Sequence, residues 1–338
     1  MSTRTSPLRT ATIVDVAAEA NVSKSTVSLV LKGSNLIKGE TADRVREAAQ
    51  KLGYVYNRRA GELRGNASNA IGVVINDLMN PFFAEVLVGI ERKLVQAGYV
   101  VVMAHTHEDL AVQEKVLQSM REHHAAGVML CPALGTPKSI LKQLQSWGIP
   151  LTIFVRNLGP GSYDFAGSDS DEGVFLATNH LLNTGHVDVG FLGGQRGVVF
   201  TQRTDGYKRA LKEKNIPYRE ELVFNSNPSR EGGYQAMKEL LSKQPTLKAV
   251  VCYNDIVAFG ALSALGEAGI IAGKDFALIG FDNILDTEHS NPPLSTVDIH
   301  PGSLGEQAAT LLLERIQNPG AKRMVYSSKP NLLLRQTA

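Results

Sequence analysis

The stretch Thr12-Ile-Val-Asp15-Val-Ala-Ala-Glu-Ala20-Asn21-Val-Ser23-Lys24-Ser25-Thr26-Val-Ser28-Leu29-Val-Leu31 reads as two short helices joined by a tight turn. Thr12 followed three residues later by Asp15 has the spacing of a capping box, and Ser23 can cap the second helix. Ile13, Val16, Ala17 and Ala20 form one apolar face, while Val27, Val30 and Leu31 form the other. Between them Asn21 falls where the chain must turn, and asparagine tolerates positive φ better than most residues. Such a pair is either an ordinary helical hairpin or a helix-turn-helix. In the second case its second helix enters the DNA major groove, and that helix's first residues reach base edges. Lys24, Ser25 and their neighbours would then read DNA.

Outward from this pair, a third amphipathic helix is expected from about Glu40 to Leu52, with Val45, Ala48, Ala49 and Leu52 on one side. Residues 55–69 are polar and basic and end in small residues, so by composition they are a linker. From Ala70 onward, strand and helix signals alternate. Apolar strand-like runs lie at 70–75, 99–105, 126–131, 150–155, 187–192, 222–225, 249–253 and 277–281. Amphipathic stretches separate most of them, for example Phe82–Gln96, Gln113–His123, Ile140–Trp147 and Thr201–Lys214. This alternation predicts an α/β body of parallel, doubly wound sheets, with ligands at the carboxyl ends of the strands.

Charge divides along the same line. Residues 1–66 carry 11 Lys+Arg against 6 Asp+Glu, whereas the rest carries 24 against 27. A small basic head on a mildly acidic body suits a polyanion touched by one end only. Cys131 and Cys252 each sit in an apolar run and read as buried thiols rather than a disulfide framework, which fits a reducing cytoplasm. Residues 1–11 contain no apolar core of a signal peptide, and residues 1–8 are expected to be a disordered tail. No stretch approaches the length of a membrane span.

The pattern T-I-x-D-V-A-x-x-A-x-V-S-x-x-T-V-S, continued by Leu52-Gly53-Tyr54 and Asn57-Arg58, resembles the DNA-binding head of the lactose-repressor (LacI) family of bacterial transcription regulators. Asn21 departs from the glycine usual there. Within the family the head is most like that of the maltose-regulon repressor, through residues 25–31 and Leu63-Arg64-Gly65. The resemblance runs over essentially the whole chain. It implies a helix-turn-helix domain at 9–56, a hinge helix within the linker 57–69, and an effector-binding and dimerising body at 70–338. Two subdomains of periplasmic-binding-protein type would make up the body, one from about 70–167 and 297–325, the other from about 168–296 and 326–338. No heptad repeat follows Arg335, so a homodimer is the expected assembly.

The resemblance also implies roles. Thr12, Ser23, Lys24, Ser25, Thr26, Ser28, Leu29, Tyr54, Asn57, Arg58, Leu63 and Arg64 would contact operator DNA. Lysine can donate to guanine O6 and N7 and serine can pair with several bases. Leu29 either meets a thymine methyl or packs internally. Leu63 would enter the minor groove as an apolar wedge, unless it staples onto the body. For the effector, Asn76-Asp77-Leu-Met-Asn80-Pro81-Phe82-Phe83 resembles the family's ligand-side loop, which selects Asn80 and Phe83. Adjacent helical residues cannot both face the same way, so one of the two phenylalanines should be core. Arg203 matches the family's effector-clamping arginine, whose planar fork suits paired hydroxyls or a carboxylate. Asn254, Asp255 and Asp282 follow apolar strands, although each aspartate could equally cap a helix. Arg156 matches a family arginine, but the aspartate that often precedes it is Val155 here. Purine-binding members carry an arginine and a phenylalanine where this chain has Gly197 and Pro228, which favours a sugar or sugar derivative.

Chemistry of other kinds finds no support. The eight histidines include His105, His107 and the pair His123-His124, but no cysteine or carboxylate completes a zinc site at recognisable spacing. There is no phosphate-binding glycine loop and no nucleophile elbow, so neither a cofactor nor a catalytic residue is assigned. A transport-type sugar-binding protein would explain residues 70–338 but would leave 12–64 without purpose. The expectation is a cytoplasmic, ligand-responsive regulator that binds double-stranded DNA and no membrane.

Overall fold

A computed structural model describes residues 11–54, 56 and 68–338, which fall into two compact units divided after Ala67. The first unit is all helical: α1 (Ile13–Glu19), α2 (Lys24–Leu31) and α3 (Glu40–Lys51). Its core is small. Val16, Ala17, Ala20, Val27, Val30, Ala42, Val45, Ala48 and Ala49 are buried, and Ile13, Leu31, Leu52 and Tyr54 pack on them. The capping box is formed in both directions. The Asp15 amide donates to Thr12 Oγ1 at 3.4 Å, and the Thr12 amide donates to Asp15 Oδ2 at 2.8 Å. Asn21 adopts φ 52°, the left-handed turn that its side chain permits.

The second unit carries two six-stranded sheets. The first contains β1 (Ala70–Ile75), β2 (Val100–His105), β3 (Gly127–Leu130), β4 (Leu151–Phe154), β5 (Asp164–Ser168) and β11 (Val325–Ser328), in the spatial order β11-β5-β4-β3-β1-β2. All its pairings are parallel. The second contains β6 (Gly190–Leu192), β7 (Val223–Phe224), β8 (Ala249–Cys252), β9 (Ala277–Asp282), β10 (Ser295–Asp298) and β12 (Asn331–Leu333), in the order β12-β10-β9-β8-β6-β7. Only β12 runs antiparallel, against β10. The chain therefore passes between lobes three times, after Ser168, after Asp298 and at Lys329-Pro330. The last crossing falls a few residues beyond the boundary near 325 that the family resemblance suggests.

Helices cover both faces, because the strands present apolar residues on both. In β1, Ile71, Val73 and Ile75 join one core and Val74 the other, as the two-residue side-chain period requires. On one face of the first sheet lie α4 (Pro81–Gln96) and α12 (Pro301–Gln317); on the other lie α5 (Leu110–Glu122) and α6 (Ser139–Ser146). The second lobe is built with α7 (Ser170–Asn183), α8 (Val198–Glu213), α9 (Arg230–Lys243), α10 (Asp255–Glu267) and the short α11 (Asp286–His289). α4 and α12 meet backbone to backbone: a Cβ on Gly89 would collide with the Gly302 carbonyl, so only glycine allows that approach. Cys131 and Cys252 are free and buried.

Candidate functional site

On the first unit, Ser23 caps α2 by accepting the Thr26 amide at 3.1 Å, while its Oγ lies 2.9 Å from Thr26 Oγ1. The two hydroxyls are thus tied to the helix start. Lys24 and Ser25 open the helix and are exposed, with no acid pairing Lys24 among the described salt bridges. Ser28 Oγ lies 3.2 Å from the Tyr56 hydroxyl. Leu29 is half-buried but stands outside the apolar core of the head, whereas Tyr54 packs against that core. Thr12 is exposed and engaged in its capping box. Asn57, Arg58, Leu63 and Arg64 lie outside the described residues, as do the stretches expected to form a hinge helix and a 1–8 tail.

In the second unit, a cavity of about 430 Å³ opens between the two sheets. Its wall is made where strands end: Asn76 follows β1, His105 ends β2, Cys131 follows β3, Ser168 ends β5, Tyr253 follows β8 and Asp282 ends β9. Parallel strands expose unpaired backbone and open crevices at their carboxyl ends, which is why ligand-binding groups collect there.

Two guanidinium groups face this space. Arg203, from α8, donates through Nη2 to Asp282 Oδ1 at 3.3 Å and through Nη1 to the Tyr253 carbonyl. Its guanidinium carbon lies 3.9 Å from the Phe281 ring centre and 4.5 Å from that of Tyr253. Arg203 is only 6% exposed, and its Nε has no hydrogen-bond partner among the described residues. That nitrogen is itself enclosed, an unsatisfied donor within the wall and not one turned to the cavity. Burial pushes the Asp282 carboxyl up to about 7, although the Arg203 charge and hydrogen bond pull it the other way.

Across the cavity, Arg156 donates from Nη2 to Glu108 Oε1 at 2.8 Å and from Nη1 to Glu108 Oε2 at 2.9 Å, with a further bond to the Pro132 carbonyl at 2.6 Å. Glu108 also accepts Asn76 Nδ2 and the Leu134 amide, each at 2.6 Å. Burial pushes the Glu108 carboxyl up, but the Arg156 hydrogen bonds and charge, with Asn76 and Leu134, outweigh it and hold the group below its ordinary value. Cys131 Sγ completes the network by donating to Asn76 Oδ1 at 3.0 Å.

Residues 12–57 match the family described as bacterial regulatory proteins, lacI family, and residues 178–338 match the periplasmic binding protein-like domain. The HTH-type transcriptional repressor PurR of Mannheimia succiniciproducens is 33% identical over 331 residues, which cover 97% of this chain and 98% of the relative. The chain belongs to the LacI family. Two solved structures of similar proteins carry a sugar. A LacI family transcriptional regulator from Enterococcus faecium with bound ribose is 29% identical, with a TM-score of 0.73, over 80% of this chain and 98% of its own. A complex of the transcriptional regulator CelR with cellobiose is 27% identical, with a TM-score of 0.74, over 97% of this chain and all of its own. The repressors among these relatives bear the name PurR rather than that of the maltose-regulon repressor, so the closer likeness of the head is not supported. They are transcriptional repressors, not enzymes.

Set within the LacI family, the expected effector residues divide. Asn80, Phe83, Arg156, Arg203, Asn254 and Asp282 all line the cavity; Asp255 does not. Asp255 is fully buried beneath it, accepting Thr296 Oγ1 at 2.6 Å and the Ile284 amide at 3.0 Å, and so ties β10 and the turn after β9 to α10. The N-cap of α10 is its neighbour Asn254, whose Oδ1 accepts the Val257 amide at 3.0 Å. Phe82 lines the cavity together with Phe83, their rings 5.2 Å apart and edge to face. Both are buried, so each is core and wall at once. Glu108, Ser170 and Tyr253 escaped the sequence reading, and Asn76 lay in the loop it singled out without being assigned a role. Only the strand-end rule could have pointed to Tyr253, which follows Cys252 directly.

Proposed function

We propose that this chain represses transcription in the cytoplasm by holding a pseudo-palindromic operator as a homodimer. A small sugar-like effector bound between the lobes of the body controls that hold. The observation that carries the reading is the combination in one chain of two parts. One is a capped helix with Lys24 and Ser25 exposed at its start. The other is a two-lobed body whose cavity draws a buried arginine and acid from one lobe and an arginine–glutamate pair from the other. A ligand touching both walls changes the angle between the lobes, and with it the spacing of the two heads in a dimer.

Lys24, Ser25, Ser28 and Leu29 are assigned to base edges, and Thr12, Ser23, Thr26, Tyr54, Asn57, Arg58 and Arg64 to phosphates or positioning. Leu63 is assigned to the minor groove at the operator centre. Asn80, Phe83, Arg156, Arg203, Asn254 and Asp282 are assigned to the effector. Gly197 and Pro228 line the cavity, which supports a ligand other than a purine. The ribose and cellobiose held by the two similar regulators support a sugar. The dimer finds support in β2, an edge strand on which Val100, Val102 and Met103 are exposed, beside exposed Val88 and Val95 of α4. A mobility-shift assay of the full chain on selected DNA tests the proposal. Absence of sequence-specific binding would remove it.

A further inference from the structure

Each guanidinium in the cavity already has a carboxylate of its own. Arg156 is held by both oxygens of Glu108, and Arg203 faces Asp282. Asp77 adds a third acid at the wall, its Oδ1 accepting the Met79 amide at 2.9 Å. Among the described residues lining the cavity there is no lysine, and His105 and His107 are the remaining bases. Two permanent cations thus meet three acidic side chains. Phosphate and carboxylate ligands are bound by guanidinium or ammonium groups free to pair with them. Here such a ligand would have to displace Glu108, whose oxygens also serve Asn76 and the Leu134 amide. The displaced carboxylate would then be left half-buried beside a second anion, an arrangement that is strongly unfavourable away from water.

What the cavity leaves available is neutral: Ser170, Tyr253, and the rings of Phe82 and Phe83. Glu108 reaches Arg156 from a different loop, the turn after β2, where His107 and Glu108 have φ 54° and 59°. Two successive non-glycine residues in the left-handed region are uncommon, and the four hydrogen bonds of the Glu108 carboxylate hold that turn in place.

We infer that the cavity is built for an uncharged polyhydroxyl ligand, and that Glu108 sets this specificity by occupying Arg156. This rests on the reading of the cavity as the effector site and narrows it, separating free sugars from their phosphate esters.

Inorganic phosphate tests the charge balance directly, titrated calorimetrically against chloride at matched ionic strength. The readout is phosphate binding in excess of that shown by the double variant E108Q/R156Q, which carries the same basic head and a balanced cavity. Wild type is expected to show no excess. Glu108→Gln frees Arg156 and should bind phosphate at least about tenfold more tightly than wild type. An excess in wild type, or none in a folded Glu108→Gln, would overturn the inference. A second arm needs no single variant: wild type stabilised against heat by a sugar phosphate but not by its parent sugar would overturn it as well. Operator binding by the same preparations reports separately. Its loss would sink the repressor reading and leave the phosphate result standing.

Discussion

Asp282 sits where two forces oppose each other, burial disfavouring its charge and Arg203 favouring it. Burial wins, and the carboxyl rises from 3.8 to about 7. In the unfolded chain the proton leaves near the ordinary value, so between about pH 4 and pH 7 the folded state holds more of it. Stability from this group is therefore lost as pH rises through that window and is level above it. Asp255 behind it is shifted the same way, first by burial and then by the Asp282 charge. Asp282→Asn should flatten the fall in urea-unfolding free energy between pH 5 and pH 7. An unaltered slope would refute the assignment. Arg203→Ala should weaken the effector by more than about tenfold, the loss expected when a buried charged donor is removed, while DNA affinity without effector stays unchanged. Equal effector affinity in calorimetry would place the ligand elsewhere. Arg203 was legible because it matches the family's effector-clamping arginine. Glu108 was not, since nothing local links it to Arg156, 48 positions away.

Among the elements, α2 carries the most specific expectation. Ser23→Ala should cost about 1 kcal/mol of head stability and Ser23→Gly only a few tenths, the signature of an N-cap. Thermal unfolding followed in the head would show it, and identical losses in both variants would mean that the hydroxyl acts otherwise. Lys24→Ala should change base preference at one symmetric operator position, read by selection from randomised DNA. An unchanged preferred site would withdraw its base-reading role. The same helices show what a sequence discloses. The cap of α1, the turn at Asn21 and strands β1 to β4, β8 and β9 announce themselves by spacing or by apolar runs. β5 (Asp-Phe-Ala-Gly-Ser) and β10 (Ser-Thr-Val-Asp) do not, although both lie inside their sheets. Their polar side chains are buried because partners elsewhere satisfy them. Arg315 holds Asp164 with bonds of 2.8 and 2.9 Å, and Thr296 reaches Asp255. Periodicity within a strand cannot report a partner about 150 residues away.

For the whole molecule, a dimer built through the β2 edge should come apart when that edge is charged. Val102→Glu should yield monomers in sedimentation and weaken operator binding, while leaving the cavity residues and effector affinity untouched. A stable dimer would move the interface to another face. In the intact dimer, effector and operator should each change the other's affinity by the same factor, typically 1–3 kcal/mol.

Neither lobe is a continuous piece of chain, and this bears on how the protein is born. β11 and β12 form one edge of each sheet, two residues apart. Just beyond them Thr337 is wholly buried, accepting the Ser295 amide at 2.8 Å and donating to the Leu278 carbonyl at 2.7 Å. A ribosome therefore releases the head's last helix, ending at Lys51, long before either sheet can acquire its last strand, the first of which begins at Val325. During synthesis the DNA-reading part can mature alone, while the sensor waits for β11 and β12. A message cut short before these strands would thus yield a head without a complete sensor.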